Sequence, residues 1–140
     1  MGVDRESISE AYHDVRDDNT PSVWAAIEYH DDGSLACKRS GNDYAEAIAL
    51  CEEANRLYLF VRIETGDELS RRAKFALITW IGERVSPLKK AKMSTDKASV
   101  KEVVQNFAKE LTTSEKPEIE YDFIKREVQK AGGANYGTGR

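Results

Sequence analysis

Long apolar runs are missing: the longest stretch of mainly apolar residues is about seven positions, whereas a membrane-spanning helix needs about 20. The N-terminus has no secretory-signal pattern, and the Met1-Gly2 start lacks the Ser or Thr that myristoylation requires where Glu6 stands. Asn-x-Ser/Thr acceptors are also absent. Cysteine is scarce. Cys37 and Cys51 lack metal-ligand spacing, which predicts free thiols in a reducing, cytosolic compartment. His13 and His30 have no ligand-spaced Cys, His or Glu beside them, so no metal centre is expected. Glycine-rich phosphate loops are lacking too, because Gly66 and the Gly132-Gly133 pair do not sit between a strand and a helix. The acidic pairs Glu52-Glu53 and Asp31-Asp32 are sequence neighbours on expected exposed ends, without the split environments that acid–base catalysis needs. Cys51 continues an apolar helical stripe and reads as a core thiol rather than a nucleophile. Neither an enzyme nor a cofactor is expected.

What is present is an uneven charge. The chain of 140 residues carries a net charge of −4. Residues 70–101 hold nine basic groups, Arg71, Arg72, Lys74, Arg84, Lys89, Lys90, Lys92, Lys97 and Lys101, against two acids, Glu83 and Asp96. That segment is therefore +7 and the remainder −11. Such polarity suits electrostatic steering towards an acidic partner; the bland alternative is a solvated helix face. Nucleic acid is disfavoured by a pI of about 5.3 and by the lack of aromatics among the lysines of residues 84–101. An anionic lipid headgroup, such as a phosphoinositide, could use Lys89, Lys90 and Lys92, but Leu88 and Met93 alone make a weak inserting face. An acidic protein surface fits better.

The length gives one domain. Ile8, Ala11, Tyr12 and Val15 predict an amphipathic helix over 4–16, and residues 17–21 a turn. Residues 23–29 read as a strand, the turn 31–34 as a hairpin, and 35–39 as a weaker strand. Asp43 caps a short helix with Tyr44, Ala47, Ile48 and Cys51 on one side. Residues 57–63 and 74–81 are two strongly apolar strands, so they are expected to be central, with helices on both faces. Trp24 and Trp80 are assigned to the core. Pro87 opens a basic helical piece over 88–93, and Ser94 or Thr95 caps a second piece. In that second piece Val100, Val103, Val104, Phe107, Ala108 and Leu111 form a helical stripe, with Lys97, Lys101, Glu102 and Lys109 opposite. Residues 111–114 read as an edge strand. Pro117 opens a last helix that buries Ile119, Phe123, Ile124 and Val128, and the glycine-containing tail 131–140 is expected to be mobile. The order implies an α+β domain over 1–130 with a largely antiparallel sheet.

The element order, with the segments KFALITWI at 74–81, PLKKAKM at 87–93 and KEVVQNFAK at 101–109, resembles the actin-depolymerising-factor homology (ADF-H, cofilin-like) family. Within it the likeness is to the coactosin-like branch, and it extends to 15–18, 65–67, 122–125 and 130–136. The resemblance implies a mixed sheet of five or six strands between helices, and a monomer that binds actin filaments in the cytoplasm and cytoskeleton. Carried over by position, Leu88, Lys89, Lys90, Lys92, Met93, Lys97 and Lys101 make the helix contact. Arg71, Arg72 and Lys74 make the contact at the end of the hairpin, and Lys125 and Arg126 a further one. Lys74 could instead mark where its strand leaves the core, and Met93 could be core filler. Gly2 stands where the depolymerising branch has its regulatory serine, and Ser7 lies too far in. Filament side-binding that opposes capping is therefore implied rather than severing or monomer sequestration. The competing reading is a cytosolic adaptor that docks a second acidic protein, such as a lipoxygenase, through the same face.

Overall fold

The computed structural model describes residues 2–66 and 69–138, with side chains up to residue 131. Five strands form one sheet in the order β2-β1-β3-β4-β5: β1 Trp24–Tyr29, β2 Leu35–Gly41, β3 Arg56–Thr65, β4 Arg72–Ile81 and β5 Lys109–Thr113. The first three pairings are antiparallel and β4–β5 is parallel. The mixed, largely antiparallel α+β architecture expected from the sequence is the one observed. β3 and β4 are the inner apolar strands, and alternation sends their side chains to two cores. Leu57, Leu59, Val61, Ile78 and Trp80 meet α2 (Tyr44–Leu50) and α4 (Tyr121–Thr138) on one face. Tyr58, Phe60 and Leu77 meet α1 (Arg5–Arg16) and α3 (Pro87–Val103) on the other.

Both tryptophans are buried, and each indole N–H donates to a backbone carbonyl: Trp24 to Asp43 at 2.9 Å and Trp80 to Glu52 at 2.9 Å. The polar tip of each ring is thereby satisfied inside an apolar setting. Cys51 is buried, as its stripe predicts. Gly82 lies so close to the loop after α2 that a Cβ there would stand 2.1 Å from the Glu53 carbonyl oxygen.

Three expectations are corrected. First, α3 is one uninterrupted helix rather than two pieces: Ser86 caps it, accepting from the Lys89 N–H at 3.3 Å, with Pro87 in the first turn. The Thr95 hydroxyl donates back to the Ala91 carbonyl at 3.4 Å instead of capping anything. Second, the helical stripe does not reach Leu111. The helix ends at Val103 because the chain must extend and return beside β4, where Ala76 pairs with Lys109. Val104 and Phe107 pack on the α1–α3 face, but Leu111, now on a strand, packs on the other. The Tyr12 hydroxyl accepts the freed Asn106 N–H at 3.0 Å, a long-range cap with no local signal. Third, Pro117 opens only a 3-10 turn, Lys116–Ile119, before α4 begins. Ile119, Ile124 and Val128 are buried, and Phe123 is half-buried. The tail expected to be mobile falls largely on positions outside the described side chains.

Candidate functional site

The basic residues nominated from the sequence do not form one patch. After β4 the chain turns at its Ile81 end, so α3 starts at that end of the sheet and runs back along it. The loop joining β3 to β4 lies at the opposite end. Two positive regions result, linked by the length of α3.

The first region is the opening of α3. Tyr58, buried in β3, donates its hydroxyl to the Met93 carbonyl at 2.6 Å. Tyr29 donates to Asp96 Oδ2 at 2.7 Å, and Lys92 Nζ donates to the same oxygen at 2.8 Å. Arg56 stacks over the Tyr29 ring at 3.7 Å and donates to the Lys89 carbonyl at 3.2 Å. Burial pushes the Tyr58 phenol up to about 12, and burial with the Asp96 hydrogen bond raises Tyr29. Both stay neutral donors at physiological pH. The helix is therefore clamped to the sheet from beneath while its outer side is left open. Lys89 and Lys90 project from its first turn, which contains no acidic residue. Neither has an ion-pair partner among the described residues. Leu88 beside them is 82% exposed, and a shallow groove runs between it, Lys89, Lys92, Arg56 and Gly33. For Met93 the sequence leaves two readings open, a helix contact or core filler, and the second is the one observed. Met93 is fully buried against the sheet, seven residues past the helix cap and on the inward side, so the apolar contact falls to Leu88 alone.

The second region is an arm. β1 pairs with β3 only as far as Val61, and β5 pairs with β4 only from Ala76. The Arg62 N–H still reaches the Val23 carbonyl at 2.8 Å, and beyond it Ile63 to Thr65 pair with β4 alone, as a two-stranded projection. Lys74 is half-buried on it, and Arg71 and Arg72 are exposed at its tip, with no ion pair among the described residues. Gly66, at φ +91°, makes the turn. The base is stiffened by Arg62, which donates to the Val15 carbonyl at 3.0 Å and pairs with Asp18 and Glu64. The Glu64 N–H donates to the Tyr121 hydroxyl at 3.0 Å, so the first turn of α4 abuts the arm. Lys125, half-buried, and Arg126, exposed, follow one turn later, on the sheet face opposite α3.

Between the regions lie Lys97 and Lys101. The sequence left them as open positive charges, but both pair with Glu110 of β5, at 3.0 and 2.9 Å. Sequence reading also missed Arg56, Tyr29 and Tyr58 as supports of α3. Tyrosine and arginine inside apolar strands were the available signal, because a buried hydroxyl or guanidinium must find a partner.

The family model for the Cofilin/tropomyosin-type actin-binding protein matches residues 1–129. Human coactosin-like protein is 52% identical over 134 residues, covering 96% of this chain and 94% of the human one. A crystal structure of human coactosin-like protein superposes with a TM-score of 0.88 at 48% identity, covering 93% of this chain and 98% of that one. The solution structure of mouse coactosin, described as an actin filament binding protein, gives a TM-score of 0.80 at 49% identity, covering 99% and 97%.

Proposed function

Because the chain belongs to the Cofilin/tropomyosin-type actin-binding family, we propose that it binds the sides of actin filaments through the two basic regions, as a cytoplasmic monomer on the cytoskeleton. It opposes capping, with little or no severing or monomer sequestration. The observation that carries this reading is the first turn of α3. Positive charge there opposes the helix macrodipole, at about 0.3–1 kcal/mol per residue, and the fold gains nothing visible in return. Lys89 and Lys90 are better accounted for as groups kept for an acidic surface, with Leu88 as the apolar contact between them. The stiffened arm with Arg71, Arg72 and Lys74, and the neighbouring Lys125 and Arg126, supply the second contact.

The reading of little or no severing rests on the N-terminal residues. Gly2 precedes α1, and Ser7 is engaged: its hydroxyl donates to the Asp4 carbonyl at 3.0 Å and accepts the Cys37 N–H at 3.0 Å. The test is high-speed sedimentation of preformed filaments with the wild-type protein and with Lys74→Ala, counting actin in pellet and supernatant. Expected is co-pelleting that Lys74→Ala abolishes, with supernatant actin unchanged. Rising supernatant actin would place the protein with the depolymerising branch, and no co-pelleting would remove the filament reading.

A further inference from the structure

Of the cations nominated for binding, Lys89, Lys90, Arg71, Arg72 and Lys74 have no acidic partner among the described residues, whereas Lys97 and Lys101 share one. Glu110 Oε2 lies 3.0 Å from Lys97 Nζ and Oε1 lies 2.9 Å from Lys101 Nζ, so one carboxylate takes both ammonium groups. Lys97 also donates to the Thr112 hydroxyl at 3.3 Å, and Lys101 lies over the Phe107 ring at 5.9 Å. Both side chains are thus drawn down onto β5 and away from the outer surface of α3. The Glu110 side chain is 25% exposed, on an edge strand where glutamate is a poor strand former. Burial acts to raise its pKa, but the hydrogen bonds and charges of the two lysines prevail and hold it below the usual carboxylate range. It is ionised at neutral pH.

We propose that Glu110 is a built-in competitor for the acidic partner, occupying Lys97 and Lys101 in the free protein so that a filament carboxylate must displace it. The inference rests on the filament reading above and deepens it. The α3 contact then has free cations, Lys89 and Lys90, at the helix opening, Lys92 held by Asp96 just after them, and a masked pair midway, and Glu110 sets how much that pair adds. A charged residue on an edge strand also discourages strand-to-strand association. Glutamine keeps the size and polarity of the side chain but removes the charge on which both roles depend, so the two lysines must be changed in each background to isolate masking.

The experiment is co-sedimentation at low salt of wild type, Glu110→Gln, the pair Lys97→Ala with Lys101→Ala, and all three changes together, with thermal unfolding of each. Glu110→Gln is expected to tighten binding by about three- to tenfold, as two partly exposed pairs are released. The lysine pair should cost less than about twofold in the wild type and more than about threefold in the Glu110→Gln background. Unchanged or weaker binding by a folded Glu110→Gln, or equal lysine effects in both backgrounds, overturns the inference while leaving the filament reading intact. Should Glu110→Gln fail to fold, the wild-type background decides: a lysine-pair loss above about threefold means the lysines are already free, which overturns masking. If neither wild type nor Glu110→Gln pellets, the filament reading falls and takes this inference with it.

Discussion

Among single residues, two buried groups make opposite statements about polarity. The Thr79 hydroxyl, buried near the end of β4, has no hydrogen-bond partner among the described residues. An unmet buried hydroxyl costs about 1–3 kcal/mol, so Thr79→Val, which keeps the shape, is expected to stabilise the protein by about 1 kcal/mol in urea unfolding. Cys51 is buried and donates weakly to the Ala47 carbonyl at 3.7 Å, and burial pushes its thiol up to about 12. A thiol-specific reagent at mild alkaline pH should therefore modify Cys37, which is half-buried, well before Cys51, which should react only on unfolding. The sign follows for stability as well. A thiol whose pKa is raised in the folded state contributes its full stability below the unfolded value, and that contribution is lost as pH climbs towards 12. Cys51→Ser should weaken this alkaline loss, as read by thermal melts across the range.

Among the elements, α3 trades stability for charge. Ser86 and Pro87 give it a sound start, yet Lys89 stands where a capping box would place glutamate. Replacing Lys89 and Lys90 with glutamate is expected to raise stability by about 0.3–1 kcal/mol each. The same changes should sharply weaken filament sedimentation. A variant that becomes both more stable and less active would identify these lysines as functional; equal losses of stability and binding would mean that they brace the fold. The arm depends on its turn. A Cβ at Gly66 would meet the Ser70 carbonyl oxygen at 2.1 Å, and φ is already +91°. Gly66→Ala should therefore distort the tip and weaken binding through Arg71 and Arg72 more than it lowers the unfolding midpoint, because no described residue between Ile63 and Phe75 belongs to either core.

Taken as a whole, the molecule is a body of −11 carrying a segment of +7 whose unpaired cations lie at two ends of the sheet. Association with an acidic filament should be fast at low salt and slow as the Debye length shrinks to about 8 Å at physiological ionic strength. Stopped-flow association rates are expected to fall steeply with salt while dissociation changes little. Glu110→Gln should steepen the salt dependence, and Lys89→Ala should flatten it. At low pH the pairs of Glu110 and Glu127 are lost as those carboxylates, held below their ordinary range, finally protonate. Stability should therefore decline as pH falls through and below the carboxylate range, and less so in Glu110→Gln.

The layers were legible in the linear chain. Hydrophobic alternation over β3 and β4 and the amphipathic spacing of α1 and α2 are local properties, and any fold of this chain must bury those faces. The placing of Trp24, Trp80 and Cys51 in the core could be read for the same reason. Where α3 ends was settled only by tertiary contacts, because the spacing of Val100 to Leu111 is the same whether Leu111 follows as helix or crosses to the other face as strand. The choice is made by β4, whose open edge offers β5 five paired positions that a longer helix would forgo. Those contacts also turn Met93 inward, divide the basic residues between two ends, and let Glu110 claim two of the lysines. Net charge is a sum over residues, but whether a charge is free depends on which acid the fold brings within about 3 Å, and nothing in linear spacing encodes that distance.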